Sequence, residues 1–360
     1  MTLLITGGAG FIGSQVIASL GDAAQIVVLD NMHPQVHGER ASNPRYASNV
    51  EFIRGDVTDP TFWDSVLRKH RPTTVLHLAA ETGTGQSLRQ ASRHTHVNVN
   101  GTAEMLDAFS RASFEPEAII LTSSRAVYGE GMWLDADTQT PFYADARSQP
   151  LLSEHEWLPR GKNGQIGTPL PHDASSVFPR PSNVYAATKL AQENILAAWC
   201  TALGVSLSIL RLQNVYGAGQ AVGNPYTGVL THFARVALAG EVIEVYEGGD
   251  IVRDFVSVRD VADAILASIR SPAAPDAYRL VDIGSGRART LLEVAEVLAQ
   301  TSGAPKPRVT DNYRLGDVRA AFANIDAAGV ELDYKAKVDL SEGLRELVGW
   351  VKRDEADGEN

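Results

Sequence analysis

Ile5-Thr6-Gly7-Gly8-Ala9-Gly10-Phe11-Ile12-Gly13-Ser14 lies between a short apolar run, residues 3–6, and a helical stretch that continues to about residue 20. Its glycines let the backbone turn tightly and approach a pyrophosphate. The helix that follows turns its free amides and positive end toward those phosphates. Between a strand and a helix, this string is the dinucleotide fingerprint. Gly7, Gly10, Phe11, Ile12 and Gly13 are therefore candidate cofactor contacts. Asp30 ends the next β-rich run, residues 25–30. A carboxylate there accepts the adenosine ribose hydroxyls and repels a 2′-phosphate, so the spacing predicts NAD rather than NADP, with Asn31 beside it.

Outward from this turn, strands and helices alternate. Residues 50–54, 74–78 and 118–123 read as strands, and 61–70 and 103–112 as helices. That alternation predicts an α/β fold, a Rossmann-type doubly wound parallel sheet. Further on, 183–203 reads as a helix and 206–212 as a strand. A glycine-rich stretch then runs through Gly228, followed by a helix to about 239, a short strand near 242–246, and helices near 258–269 and 291–300. The chain is thus expected to divide into a dinucleotide-binding domain, 1–182, and a region 183–350. The second region would interleave the last sheet elements with a smaller C-terminal α/β substrate lobe. Residues 351–360, VKRDEADGEN, read as a solvated tail. Residues 130–180 carry Pro141, Pro150, Pro159, Pro169, Pro171 and Pro179 and show little periodicity. They read either as a lid or binding loop, or as a surface insertion.

The 360 residues are 44% hydrophobic and 21% charged, an ordinary globular composition. Forty-three acidic against 32 basic side chains give a net charge of −11, which argues against a general nucleic-acid binder. Cys200 is the one cysteine, so no intrachain disulfide or cysteine-cluster zinc site can form. No basic flank leads a long apolar stretch, and the apolar runs are too short to cross a bilayer. The expectation is a cytoplasmic protein without membrane contact. His33 and His37 stand four apart around Pro34 and read as loop histidines, so no metal is expected.

Gly55-Asp56-Val57 and His77-Leu78-Ala79-Ala80 follow the third and fourth strands, where the carboxyl ends of parallel strands line a ligand crevice. Asp56 suits an adenine amino group, and small Ala79 and Ala80 allow close approach. Tyr185 and Lys189 are four apart on a predicted helix and share a face. An ammonium lowers a neighbouring phenol from its usual ~10, which makes Tyr185 a candidate general base. Ser124 follows the fifth strand, in Thr122-Ser123-Ser124-Arg125-Ala126-Val127-Tyr128-Gly129, and offers a hydroxyl to a substrate oxygen beside Tyr185.

With these residues in place, the chain resembles the extended short-chain dehydrogenase/reductase family, the sugar-nucleotide epimerases and dehydratases, from Thr2 to about Trp350. The fingerprint, the Ser124/Tyr185/Lys189 triad, Arg211-Leu-Gln-Asn214, Arg253-Asp254-Phe255-Val256 and Arg314-Leu-Gly-Asp317 stand in that family's order. The resemblance implies that Ser124 bonds the sugar 4-oxygen, Tyr185 takes its proton, and Lys189 holds the nicotinamide ribose and tunes Tyr185. It implies diphosphate contacts from Asn214, Arg253 and Arg314, and a nucleotide-ribose contact from Asp317. It also puts Asn98, Thr122 and Leu212 with Val57 and Leu78 at the cofactor, and Thr82, Thr84, Gln213 and Val229 near the sugar. A homodimer built on the helices near 101–112 and 183–203 is implied as well.

One departure narrows the chemistry. Dehydrating or decarboxylating members of the family follow the serine position with acidic residues. Here Arg125 and Ala126 stand there, and Cys200 lies in a helix, away from any 3,5-epimerase position. What remains is chemistry at one carbinol. NAD-dependent C4 epimerisation through a 4-keto intermediate is the reading favoured, with a nucleotide-diphosphate sugar as substrate. A 4-ketosugar-nucleotide reductase and, more distantly, a non-catalytic NAD-binding regulator are the alternatives. Asp30 to His37, Glu81 to Ser87, Asn224-Pro-Tyr-Thr-Gly228 and Arg314 to Arg319 look like the branch containing dTDP-L-rhamnose 4-epimerases, near the UDP-glucose 4-epimerases.

Overall fold

Continuous apolar runs form strands covered on both faces, and the computed structural model shows seven of them in one parallel sheet. It describes residues 1–358 apart from Ala23, Arg40, Pro225, Tyr226, Thr227 and Asp276. The strands are β1 (Thr2–Thr6), β2 (Gln25–Asp30), β3 (Val50–Arg54), β4 (Thr74–His77), β5 (Ala118–Ser124), β6 (Ser206–Leu212) and β7 (Arg279–Ile283). Their spatial order is β7-β6-β5-β4-β1-β2-β3. Leu4 of β1 pairs with Val27 on one side and Val75 on the other. The order reverses at β1, so a crevice opens between the carboxyl ends of β1 and β4, where open α/β sheets bind ligands.

The two-residue period of each strand sorts its side chains. Leu3, Ile5, Ile26 and Val28 pack on one face with Val261 and Ile265 of the helix Val258–Arg270. Leu4, Val27 and Leu29 pack on the other with Trp63, Met105, Phe109 and Leu196. A third core, with Phe233, Leu298 and Leu347, joins the helices Val229–Leu238, Leu291–Ser302 and Leu340–Gly358 into the second lobe.

Three expectations change. Residues 130–180 are not structureless: Met132–Asp135, Pro141–Tyr143 and Gly167–Pro169 form a small antiparallel sheet around buried Trp133. Strands of three and four residues are too short to show a period between prolines. β7, with Arg279 inside an apolar run, escaped the sequence reading; that guanidinium is held by Ser208, Glu331 and the Ser271 carbonyl. The tail continues the helix Leu340–Gly358, with residues 352–356 exposed on it. Within Asn224-Pro-Tyr-Thr-Gly228, residues 225–227 lie outside the described residues, as do the last two of the tail.

Candidate active site

The glycine turn builds the floor of the crevice. Gly7 has φ of 66°, and a Cβ there would stand 2.8 Å from the Ala79 amide nitrogen. A side chain would close the gap between the β1 and β4 ends that a pyrophosphate needs. No side chain caps the helix Phe11–Leu20, so its first-turn amides face the crevice uncapped. Asp30 accepts from the backbone of Ala9 (3.1 Å) and Met32 (2.9 Å), which ties the glycine turn to the end of β2. Asp56 accepts from Asn31 (3.0 Å) and from Thr58. Burial works against its charge, yet these hydrogen bonds hold its carboxyl below the usual range. This cradle fits an NAD adenosine and pyrophosphate: close-approach glycines, an uncapped helix start, and a carboxylate at the strand end.

One continuous cleft carries Gly7, Gly10, Phe11, Ile12, Gly13, Asp30, Asn31, Asp56, Val57, Leu78, Ala79, Ala80 and Thr122 along one part. Thr82, Thr84, Ser124, Tyr185, Gln213 and Asn214 line the rest. Ser124 accepts a 3.1 Å hydrogen bond from the Ala126 amide, starting a short 3-10 turn, Arg125–Tyr128. Tyr185, in the first turn of the helix Val184–Leu203 after the Asn183 cap, lines the same cleft. Burial raises the Tyr185 phenol; the Ser124 hydrogen bond and the Arg125 charge pull it back.

The remaining expected residues are not among those lining this cleft. Lys189 is buried and donates to Gln192 Oε1 at 2.6 Å. Burial pushes its ammonium down to about 8, against the opposing pull of Glu193. Its charge is felt at His77, whereas the charge acting on Tyr185 is that of Arg125. The lysine is turned to an amide one turn along its helix. Asn98 fixes the residues after β4 by bonding Glu81 through both N and O and Thr188 through its hydroxyl. Leu212 is a core residue of β6, and Val229 opens its helix. Arg253 is buried against Asp317 (2.6 Å) and the Val252 and Val318 carbonyls. Arg314 is exposed, its guanidinium 5.6 Å above the Tyr246 ring.

Other residues went unnoticed in the sequence. Gln35 and Gln86 exchange amide hydrogen bonds at 2.9 and 3.0 Å, and Gln35 also donates to Asn224 at 3.3 Å. Arg93 joins them through Gln35 and pairs with Glu81 at 2.8 Å. These contacts bridge the loop after β2, the segment after β4 and the glycine-rich stretch after β6. Gln35, Gln86 and Asn224 lie in the branch-like stretches read in the sequence, and Gln192 lies three residues from Lys189 on one helix face. His33 accepts from the Gln35 amide, and His37 lies 3.5 Å from Asp30. Among the described residues no three histidine, cysteine or acidic side chains stand together as a metal site, and no helix is long and apolar enough to cross a membrane.

Comparison with known proteins places these features. Residues 4–148 match the family described as GDP-mannose 4,6 dehydratase, and residues 160–284 the NAD dependent epimerase/dehydratase family. A dTDP-L-rhamnose 4-epimerase from Burkholderia thailandensis is 45% identical over 353 residues, covering 98% of this chain and 95% of that protein. A UDP-glucuronate 4-epimerase from Arabidopsis thaliana is 28% identical, covering 97% of this chain and 76% of that one. The crystal structure of UDP-glucose 4-epimerase with UDP-glucose from Thermotoga maritima superposes with a TM-score of 0.78 at 26% identity, covering 98% and 99% of the two chains. The Thermus thermophilus UDP-glucose 4-epimerase complex with NAD gives 0.75 at 26% identity, with the same coverage.

Proposed function

The chain belongs to the extended short-chain dehydrogenase/reductase family of NAD-dependent nucleotide-sugar epimerases, and on that premise we propose that it inverts C4 of a nucleoside-diphosphate 6-deoxyhexose, dTDP-L-rhamnose first among them. The observation that carries the reading is the composition of one cleft wall. Ser124 and Tyr185 stand together there, and the two positions after Ser124 present a guanidinium and a methyl group where dehydration would need carboxylates.

Ser124 donates to the sugar 4-oxygen, and Tyr185 takes its proton and later gives it back. Bound NAD supplies the acceptor and donor for the C4 hydrogen, so the cofactor ends each turnover as it began. Inversion requires the 4-keto sugar to present its other face. The cleft between the Tyr185 helix and Asn214 leaves the sugar to turn while its diphosphate stays held. Arg314, exposed on the second lobe, is the cation offered to the diphosphate. Buried Arg253 pairs with Asp317 and fixes it for the nucleotide ribose.

The remaining expectations are carried by simpler features. The outward positions Ala187, Asn194 and Ala198 of the helix Val184–Leu203 are small enough for a second copy of that helix to approach closely, which supports a homodimer. Light scattering of the purified protein tests it. The single cysteine, Cys200, is buried and unpaired, in keeping with a cytoplasmic protein; fractionation of the source cells tests that.

Turnover of a nucleotide-sugar panel, read by NMR in heavy water without added cofactor, tests the function. A C4 epimer without deuterium at C3 or C5 and without net NADH use is the expected result. Conversion that consumes NADH stoichiometrically makes the protein a reductase instead.

A further inference from the structure

We propose that Gln213 determines which sugar the site accepts: its side-chain amide binds the vicinal hydroxyls at C2 and C3 while C4 reacts at Ser124 and Tyr185. One hydroxyl accepts from Nε2 and the other donates to Oε1. The inference rests on the 4-epimerase reading above and adds the part of the sugar that the protein reads.

The first observation is an unmet amide. Gln213 is 4% exposed, and neither Nε2 nor Oε1 has a hydrogen-bond partner. Among the described residues it is the one buried side chain with two polar atoms unmet. Burying such a group without partners is costly. The residue lines the cleft together with Ser124, Tyr185 and Asn214, so an occupant of the cleft that meets both atoms removes that cost.

The second observation is a fixed stem. Gln213 lies between β6 and the short strand Asn214–Tyr216, and its backbone amide donates to the Ile283 carbonyl at 2.9 Å. Gly284 lies close against it: a Cβ there would stand 2.8 Å from Gln213 Cγ. The neighbouring amide is already committed, since Asn214 Oδ1 accepts from Arg125 Nε at 3.1 Å. Gln213 is thus held in place before a ligand arrives, with its own amide free.

The sheet order indicates which ligand meets it. Asp30 ends β2 and the glycine turn follows β1, so the adenosine and pyrophosphate cradle lies at that side of the sheet. Ser124 ends β5, and Leu212 of β6 is its register partner. Gln213 is the first residue past β6, one strand farther from the cradle than Ser124. That places it on the sugar's side of the reacting carbon. A 6-deoxyhexose has a methyl group on C5, so its free hydroxyls besides the one at C4 are those at C2 and C3. A carboxamide offers two donor hydrogens and two acceptor lone pairs. It can therefore meet this pair from either face of the ring, which a 4-keto sugar that turns in the site requires. Gln213 exchanges no proton in the reaction.

Calorimetric titration of the purified protein, with its cofactor, against dTDP-L-rhamnose and against dTDP alone tests the assignment. Gln213→Leu keeps the bulk of the side chain. It should lose about a hundredfold in affinity for dTDP-L-rhamnose, two neutral hydrogen bonds at about tenfold each, and nothing for dTDP. Without ligand the same variant should melt at or above the parent temperature, because it removes an unmet amide and breaks no bond. Toward the 3-deoxy analogue of the same nucleotide sugar, the loss caused by Gln213→Leu should shrink to about tenfold. Should Gln213→Leu fail to fold, Gln213→Met makes the same comparisons. An equal loss for dTDP, a fall in NAD content, an undiminished loss with the 3-deoxy sugar, or a lower melting temperature overturns the proposal. These titrations need no turnover. A protein that binds dTDP-L-rhamnose without epimerising it overturns the functional reading, while the comparison still decides for or against Gln213.

Discussion

Lys189 and Gln192, one helical turn apart, are joined by a 2.6 Å hydrogen bond from Nζ to Oε1. The amide carries the connection onward. Gln192 Nε2 donates to Thr102 Oγ1 at 2.8 Å and lies 3.2 Å from His77 Nε2, and His77 Nδ1 meets Thr6 Oγ1 at 2.7 Å. Thr6 Oγ1 then accepts from the Ala79 amide at 3.2 Å. One buried polar chain thus ties the Tyr185 helix to the ends of β1 and β4, beneath the cofactor crevice. Lys189 has a neutral partner, so burial, more than ion pairing, governs its charge.

Gln192→Leu removes the centre of this chain and strands a buried ammonium. The expected cost is about 1–3 kcal/mol of stability, read by urea unfolding. Gln192→Glu does the opposite to the charge. A carboxylate beside Lys189 raises it from about 8, so any alkaline limb of the kcat profile that reports Lys189 should move up. An unchanged alkaline limb would show that Lys189 does not titrate in catalysis.

Acid stability follows from three buried groups. Burial pushes His77 and His172 down to about 3, and burial pushes Asp282 up to about 7 against its Tyr128 hydrogen bond. Between roughly pH 4 and 6.5 the unfolded chain binds a proton on each histidine that the folded chain does not, so stability rises with pH. Asp282 acts in reverse, because there the folded state holds the extra proton. Two upward contributions and one downward leave a net of one proton, about 1.4 kcal/mol per pH unit from these groups. Asp282→Asn should therefore steepen the slope of unfolding free energy against pH, and His77→Gln should flatten it.

Six of the seven sheet strands and the cofactor turn were legible because their signals are local: apolar runs, glycines and one strand-end carboxylate. β7 was lost because Arg279 interrupts its apolar run, and only contacts outside that run, with Ser208, Glu331 and the Ser271 carbonyl, make that guanidinium tolerable. β6 was legible as a strand, but its place beside β5 is a matter of topology. Within the site, Ser124 and Tyr185 were legible as a pair. The direction Lys189 takes was not, since it depends on Thr102 and His77, some ninety and more residues upstream. The same limit hid the bridge across the cleft, where Gln35, Gln86 and Asn224 come from three separate loops.

That bridge predicts how NAD is retained. Gln35 and Gln86 are bonded head to tail through both amide groups, and Arg93 and Asn224 close the set. Gln35, Arg93 and Asn224 line the cleft together with Asp30 and Asn31, so release of a bound dinucleotide is expected to require these contacts to part. Replacing both glutamines by alanine should speed NAD loss by about tenfold, the equivalent of one or two hydrogen bonds. Cofactor content after repeated gel filtration measures it. Retention equal to the unaltered protein would show that the bridge closes over nothing.

Arg147 decides whether residues 130–180 act as a moving cover or a fixed wall. Its guanidinium is buried between Glu130 (3.0 Å) and Glu247, and donates to the Asp317 carbonyl at 2.7 Å. Glu130 in turn accepts from the Arg319 amide at 2.9 Å, and Arg319 bonds the Glu247 carbonyl. The insertion is therefore clamped to the second lobe by charges that cannot part without exposing two buried carboxylates. Arg147→Met should cost about 3–5 kcal/mol, the price of leaving such groups unpaired. It should also open the 130–180 segment to limited proteolysis before the sheet domain unfolds. Burial already raises Glu130 against the pull of Arg147, so in the variant this carboxyl should protonate at higher pH and the loss of stability should shrink in acid. A variant that melts like the parent and resists the protease would mean that the apolar contacts around Trp133 hold the insertion without the clamp.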